Sequence, residues 1–153
     1  MRLCCQSEED DYNPGRGRHV GECADGLFWV TTPFVWSRNG APGRDFVALY
    51  RWTKSGEFLS ADIEELPPRT NAALPGNNAQ EDFYQAGIER ALATLGEFTR
   101  CDIDVAPFVH VHDGIEFGLV ARPPEEEDDT WAVNAMPGDY MCFWAPWDGG
   151  YDT

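Results

Sequence analysis

The fold is decided by the stretch DFVALYRWTKSGEFLSADI, residues 45–63. Alternate positions of residues 45–53 are apolar, which is the period of a half-buried β-strand. We expect a two-residue turn at Ser55-Gly56, which would make residues 59–63 the partner strand of a hairpin. The predicted cross-strand pairs are Trp52 with Leu59, Tyr50 with Ala61, and Ala48 with Ile63. Together with Phe46, they would form one continuous apolar face.

Further strands are predicted on both sides of this hairpin. Upstream, LFWVTTPFVW (residues 27–36) is rich in aromatic and β-branched residues, and its Pro33 indicates an edge position or a bulge. Downstream, two more hairpins are predicted around turns at 113–114 and 136–139. Their strands would be residues 108–112 with 115–121, and residues 131–135 with 140–144. Residues 98–105 would add one more strand.

One amphipathic helix is predicted near residues 81–95. The preceding stretch, 66–78, is interrupted by prolines and a glycine and is therefore expected to be a connection. Asn78 and Glu81 have the spacing of a capping box, and Gly96 ends the helical pattern. The apolar side of the helix would consist of Tyr84, Ile88, Ala91, Leu92 and Leu95. Because an isolated helix of this length is marginal in water, we expect that side to lie on the sheet.

These elements predict an α+β fold. We expect a mostly antiparallel sheet of about seven strands, in the order βββ-α-ββββ, with one main amphipathic helix packed on it. Parallel βαβ units would need more helices than this one. Residues 27–153 are predicted to form a single domain. Residues 1–26 contain the acidic run 8–11 and a stretch rich in glycine and arginine, and they are predicted to be an irregular acidic N-terminal arm.

The charge balance restricts the possible partners. The 153 residues include 27 Asp and Glu but only 11 Lys and Arg, which gives a formal net charge of −16. That charge excludes direct binding to nucleic-acid backbones or anionic lipid, because both require a basic surface. There is no apolar run long enough to span a membrane. The start MRLCCQSEEDD lacks the apolar stretch of a secretory signal, and the five cysteines form no disulfide framework, so we expect a cytoplasmic protein.

The stretch HVHDGIE (110–116) contains the chain's strongest indication of a metal site. Two imidazoles, His110 and His112, would lie on the same face of a strand, as they must to bind one divalent transition metal. The pattern resembles the first metal motif of the cupin β-barrels, which implies Glu116 as the third ligand. A two-residue turn at 113–114 would place Glu116 on the other face, whereas a three-residue turn would bring it round. The alternative is a hairpin whose two histidines bind no metal.

No other pattern indicates catalysis. The chain has no Gly-x-Ser-x-Gly elbow, and the glycines at 15 and 17 neither follow a predicted strand nor open a helix, as a phosphate loop would. We therefore name no catalytic residue and no cofactor, and we expect a binding role.

Two segments are candidates for contact with a partner. The first is the predicted surface loop of Glu125, Glu126, Glu127, Asp128 and Asp129. The second is the aromatic C-terminus YMCFWAPWDGGYDT (140–153), in which Trp147 and Tyr151 beside Asp148 would be surface anchors. The alternative for the second segment is a final strand whose aromatic side chains complete the core.

We interpret the sequence as an acidic protein-binding module. The hypothesis is a cytosolic inhibitor of the immunity-protein or antitoxin kind, whose carboxylates cover a basic partner such as a toxin enzyme. The alternative is a small metal-binding protein or metalloenzyme that uses His110 and His112. A third interpretation is that the acidity serves only solubility in a high-salt host.

Overall fold

The computed structural model describes residues 1–5, 19–68, 79–124 and 130–152, with residues 151 and 152 described by their backbone alone. The strands before the helix are β1 (Arg2–Leu3), β2 (His19–Cys23), β3 (Gly26–Thr31), β4 (Phe34–Val35), β5 (Arg44–Trp52) and β6 (Phe58–Glu65). The helix is α1 (Ala79–Ala93). The strands after it are β7 (Phe98–Arg100), β8 (Ile103–Asp104), β9 (Phe108–His112), β10 (Ile115–Arg122), β11 (Ala132–Met136), β12 (Cys142–Trp144) and β13 (Tyr151–Asp152).

Every described strand pair is antiparallel, so the predicted α+β class and the antiparallel sheet are confirmed. The strands form a six-stranded, a five-stranded and a two-stranded sheet. The predicted number of strands was too low because the sequence pattern cannot reveal elements as short as the two-residue strands β1, β4, β8 and β13. No described helix is long and apolar enough to cross a membrane.

The six-stranded sheet runs β6-β5-β3-β2-β7, and β4 pairs with the start of β5. The predicted strand 27–36 is broken at Pro33: its two parts, β3 and β4, both pair with β5. Between them the Pro33 carbonyl accepts a hydrogen bond from the Phe46 amide, 3.0 Å away. The break follows from proline, which has no amide hydrogen to donate to the ladder.

The central hairpin of β5 and β6 has most of the predicted register. Tyr50 pairs with Ala61 and Ala48 with Ile63, as predicted. The predicted pair of Trp52 with Leu59 is wrong: a register shift after Arg51 pairs Trp52 with Phe58. The reason is the turn, which is longer than two residues and is closed by hydrogen bonds between Thr53 and Glu57 and between Gly56 and Thr53.

The five-stranded sheet runs β13-β12-β11-β10-β9 and contains both predicted C-terminal hairpins. The predicted strand 98–105 is instead divided between two sheets. Its first part, β7, pairs with β2, and its second part, β8, pairs with β1. Residues 1–26 also differ from the irregular arm that we predicted, because β1 and β2 lie there and Val20 is buried. The acidic run 8–11 lies outside the described residues.

Buried side chains fill both sides of the six-stranded sheet. The core between the two large sheets includes Trp29, Phe46, Tyr50, Phe117, Leu119 and Phe143. The core under the helix includes Phe28, Val30, Val47, Leu49, Ile88 and Leu95. The described part of the protein therefore has three layers, with the six-stranded sheet between the five-stranded sheet and α1.

The helix begins and ends two residues earlier than predicted. Its predicted apolar side does face the sheet: Ile88 is buried, and Tyr84, Ala91 and Leu92 pack against the same core. The close approach depends on Gly87, where a Cβ atom would lie 2.7 Å from a methyl group of Val47. The proposed cap residue, Asn78, lies outside the described residues.

Candidate functional site

The outer face of the five-stranded sheet carries exposed apolar side chains on β9 and β12, with a charged pair, Glu116 and Arg122, on β10 between them. On β9, Phe108 is buried, and Phe108, His110 and His112 face inward. Val109 and Val111 alternate with them and point outward, and they are 51% and 65% exposed. On β12, Phe143 is buried and Trp144 is 41% exposed. Within the described ranges no helix or strand lies over these side chains. Large apolar groups in water on one side of a sheet are typical of an interaction surface.

This outer face is concave along β10. A guanidinium nitrogen of Arg122 lies 3.7 Å from a carboxylate oxygen of Glu116 on the same strand, although a flat strand would separate their Cα atoms by about 20 Å. The strand must therefore bend toward the side that carries both groups. Gly118 lies between the two groups and has a φ of 134°, and a Cβ atom there would lie 2.3 Å from the Phe108 carbonyl oxygen, so the position requires glycine. We therefore place the bend at Gly118.

The register of the sheet brings the two predicted partner-binding segments to the same end. Arg122, at the end of β10, pairs with Ala132, and Ala132 pairs with Trp144. The acidic segment of Glu125, Glu126, Glu127, Asp128 and Asp129 connects β10 to β11 at this end, although its conformation lies outside the described residues. Trp131, which follows it, is 54% exposed. The described chain therefore places two exposed tryptophans beside the points where the acidic segment is attached.

Trp147 is held differently from the surface anchor that we predicted. It packs, half-buried, against the core between the sheets, and its carbonyl accepts a hydrogen bond from the Arg2 amide at 3.1 Å. Its φ is 64°, an unusual value for a bulky residue. Asp148 is exposed, and its carboxylate accepts the Gly150 amide at 3.1 Å. Tyr151 belongs to β13, for which the structure describes only the backbone.

The residues predicted as metal ligands do not converge. The hairpin has the two-residue turn: His112 pairs with Ile115 and Val111 with Glu116. Glu116 consequently lies on the opposite face of the sheet from His110 and His112. Among the described residues, no three His, Cys, Asp or Glu side chains are grouped so that they could hold a metal ion. The alternation of side chains along the strands thus places the two histidines on one face and Glu116 on the other.

The two histidines lie at the inner rim of the sheet, beside aromatic rings. The ring centroid of His110 is 6.4 Å from that of Phe58, and the centroid of His112 is 6.2 Å from that of Phe117. An exposed ion pair lies nearby: Arg44 binds both carboxylate oxygens of Glu65 at 2.7 Å. The hydrogen bond from Arg44 is the main reason that the pKa of Glu65 is lowered, and the charge of His112 adds to it.

A groove of about 310 Å³ lies between α1 and β6. Its walls are apolar, and its rim carries two ion pairs, Arg51 with Asp62 and Arg90 with Glu64. Arg51 also donates a hydrogen bond to the Thr94 hydroxyl at 2.9 Å. The charged groups at the rim are therefore already satisfied by one another.

Burial disfavours the ionised form of three of the cysteine thiols. Burial is the largest cause that raises the pKa values of Cys4, Cys5 and Cys101, and Asp102 raises all three further. A raised pKa reduces the thiolate fraction at neutral pH. The site that remains in the described chain is the outer face of the five-stranded sheet.

Sequence reasoning missed the exposed valines of this face. In FVHVH (108–112) it selected the histidines, which turn inward, and passed over Val109 and Val111. The alternation itself was visible, but the sequence does not say which row of a hairpin faces the core.

No protein-family model, no curated protein and no solved structure matches this chain.

Proposed function

We propose that the protein binds a basic partner protein through the outer face of the five-stranded sheet. The role we assign to it is that of a cytosolic inhibitor of the immunity-protein or antitoxin kind. The observation that supports the proposal is that exposed Val109, Val111 and Trp144 share one face of a sheet, and that Trp144 lies at the end of it where the acidic segment 125–129 is attached. We name no catalytic residue and no cofactor for this function.

The apolar and the acidic parts of the surface have different roles in this proposal. Burial of Trp131 and Trp144 would contribute most of the affinity, because tryptophans buried at an interface are frequent hot spots. Carboxylates at the rim raise the rate at which a basic protein associates and discriminate against acidic proteins. The five carboxylates at 125–129 are adjacent in sequence and are the main concentration of negative charge between β10 and β11.

Inhibition follows if the partner's active site is itself basic. An enzyme that cleaves nucleic acid needs Lys and Arg to hold phosphates. Carboxylates that bind the same cations compete with that substrate, and the apolar face keeps the inhibitor in place. The total charge alone does not require this role, since it would also keep the protein soluble.

The test separates the position of the charges from their number. In one variant the carboxylates at 125–129 are replaced by their amides, and in the control the same is done at five exposed positions elsewhere: Asp25, Glu57, Glu81, Asp82 and Glu97. Both variants have the same net charge. Each protein, and the wild type, is immobilised and used to capture proteins from its source cells.

We expect a basic protein that the wild type and the control retain and the 125–129 variant releases at moderate salt. The activity of that protein should be inhibited by the wild type at stoichiometric amounts. Equal capture by the two variants, or capture that is insensitive to salt, would contradict the proposal. So would a captured enzyme whose activity is unaffected.

A further inference from the structure

β6 forms an open edge of the six-stranded sheet. It pairs with β5 on one side, and no strand in the described ranges pairs with its other side. The other outer strands of the two large sheets are shorter: β7 has three residues, β9 five and β13 two, whereas β6 has eight. An exposed strand edge presents a row of backbone donors and acceptors that an extended segment can bind.

The register shows which backbone groups of β6 face the open edge. The Leu66 amide donates to the Asp45 carbonyl at 2.8 Å, so these two residues form a hydrogen-bonded pair of the ladder. Hydrogen-bonded and non-hydrogen-bonded pairs alternate along antiparallel strands. The N–H and C=O groups of Ala61, Ile63 and Glu65 therefore point away from β5, toward the position of an added strand.

The two faces of β6 differ in character. Ala61 and Ile63 pack, partly buried, against the core between the sheets, so apolar side chains of an added strand would continue that core. Asp62 and Glu64 point to the other face, and their side chains are 66% and 43% exposed. Beside them lies the groove of about 310 Å³ between α1 and β6. The aliphatic part of a lysine or arginine can lie on apolar walls while its cationic end reaches a carboxylate.

The charge of β6 disfavours a second copy of this chain as the occupant. FLSADIEE (58–65) carries three carboxylates and no basic residue. Two copies of β6 paired antiparallel about Ile63 would place Asp62 of each opposite Glu64 of the other, and like charges at opposed positions are destabilising. Arg51 and Arg90 bind these two carboxylates, but a carboxylate can accept from more than one cationic donor. Charge complementarity therefore favours a basic strand.

We propose that an extended segment of a partner protein, in which lysines or arginines alternate with apolar residues, binds the open edge of β6 as an added antiparallel strand. The apolar residues lie opposite Ala61 and Ile63, and the basic residues lie opposite Asp62 and Glu64. This edge belongs to a different sheet from the face proposed above, and the inference does not depend on that function.

The experiment uses synthetic peptides about seven residues long, in which lysines alternate with valines. In the proposed pairing the valine amides face β6 and the lysine amides face solvent, because the hydrogen-bonded pairs fall at Ala61 and Ile63. One peptide is unmodified, the second carries N-methyl groups on two valines, and the third carries them on two lysines. Binding of each labelled peptide to the intact protein is measured by fluorescence anisotropy at low salt.

Two proline variants locate the site. Ala61→Pro removes one outward amide of β6 and leaves the hydrogen bonds to β5 in place. The control, Val109→Pro, does the same at the edge strand β9: His112 and Ile115 flank its two-residue turn as a hydrogen-bonded pair, so the Val109 amide points away from β10. Circular dichroism checks that both variants fold, and the comparison of the methylated peptides on the wild type needs neither variant.

We expect the lysine-methylated peptide to bind like the unmodified one, and the valine-methylated peptide to bind at least about ten-fold more weakly. Ala61→Pro should weaken binding of the unmodified peptide by a similar factor, and Val109→Pro should leave it unchanged. Equal binding of the three peptides would overturn the proposal, because it would show attraction by charge alone. The proposal also falls if none of the peptides binds, or if binding is lost only in Val109→Pro or only on methylation of the lysines. Self-association of the wild type that Ala61→Pro abolishes would identify a second copy as the occupant and would overturn the basic segment.

Discussion

Arg122 and Glu116 form an ion pair along a single strand, with 3.7 Å between a guanidinium nitrogen and a carboxylate oxygen. The pair is exposed and contributes little energy by itself. Its importance is geometric, because it can form only if β10 bends at Gly118. The curvature of the candidate binding face therefore depends on a glycine that contacts no partner.

Replacement of Gly118 by alanine should destabilise the protein by about 2–4 kcal/mol. The added Cβ would lie 2.3 Å from the Phe108 carbonyl oxygen, and the residue would have to keep a φ of 134°. The measurement is the free energy of unfolding in urea. The control is Gly40→Ala, where φ is 78° and nothing lies within 4 Å of the new atom, so the cost should be only about 1 kcal/mol. Equal costs at the two sites would refute the bend at Gly118.

Two tyrosines should respond in opposite ways to the loss of the hydroxyl group. The Tyr84 hydroxyl on α1 donates a hydrogen bond to the buried carboxylate of Asp45, which also accepts one from Gln80 at 3.1 Å. Tyr84→Phe should therefore cost about 1.5–3 kcal/mol, as expected for a hydrogen bond to a charged group.

The buried Tyr50 hydroxyl, by contrast, has no hydrogen-bond partner among the described residues. Tyr50→Phe should leave the stability unchanged or raise it by up to about 1 kcal/mol. Both variants are compared by chemical unfolding. A loss of stability in Tyr50→Phe as large as that in Tyr84→Phe would show that Tyr50 has a partner.

The pair of Arg44 and Glu65 should make a small contribution to stability that depends on pH. The pKa of Glu65 is lowered in the folded protein from its ordinary value of 4.5, mainly by the hydrogen bond from Arg44. A lowered pKa gives stability that is present above 4.5 and is lost as the pH falls through the folded value. Because both side chains are more than a third exposed, solvent screening holds the contribution below about 1 kcal/mol.

The measurement compares the unfolding free energies of the wild type and Glu65→Gln at neutral pH and at pH values below 4.5. The difference between them should shrink as the pH falls. In an Arg44→Gln background the same comparison should give little difference at any pH. A difference that grows in acid would have the wrong sign for this ion pair.

At position 147, replacement of the tryptophan by glycine should destabilise the protein less than replacement by alanine. Its φ of 64° is in the left-handed region, where a Cβ atom is unfavourable by about 1–2 kcal/mol. Both substitutions remove the same half-buried indole, so their difference isolates the backbone. We expect Trp147→Gly to be about 1 kcal/mol more stable to unfolding than Trp147→Ala. The reverse order would mean that the turn relaxes out of this conformation when the indole is lost.

The parts of the fold that could be predicted from sequence depend on local patterns. The register of Tyr50 with Ala61, the turn at 113–114 and the apolar side of α1 all follow from spacing within one hairpin or one helix. The short strands could not be predicted, because two residues have no period. The bulge after Arg51 is set by the length of the turn, which the Ser55-Gly56 pair alone did not indicate.

The candidate site was only partly predictable for a different reason. β5 is buried at every position from 45 to 50 because α1 covers one face and the second sheet covers the other. Such coverage is a long-range property. For the same reason the sequence showed two rows on β9 without showing that the valine row, Val109 and Val111, faces water.

Neutralising the acidic segment and removing an aromatic anchor should affect different rate constants of the proposed complex. With the partner obtained by capture, amides at 125–129 should slow association about ten-fold at low salt and leave dissociation nearly unchanged. Trp144→Ala should instead speed dissociation, because the indole acts only after contact is made.

The rates are measured by surface plasmon resonance over a range of salt concentrations. Since salt screens the carboxylates, the association rates of the wild type and the amide variant should converge at high salt. An association rate that the amides leave unchanged at low salt would mean that the acidic segment does not steer the partner, and that its charge acts on solubility alone.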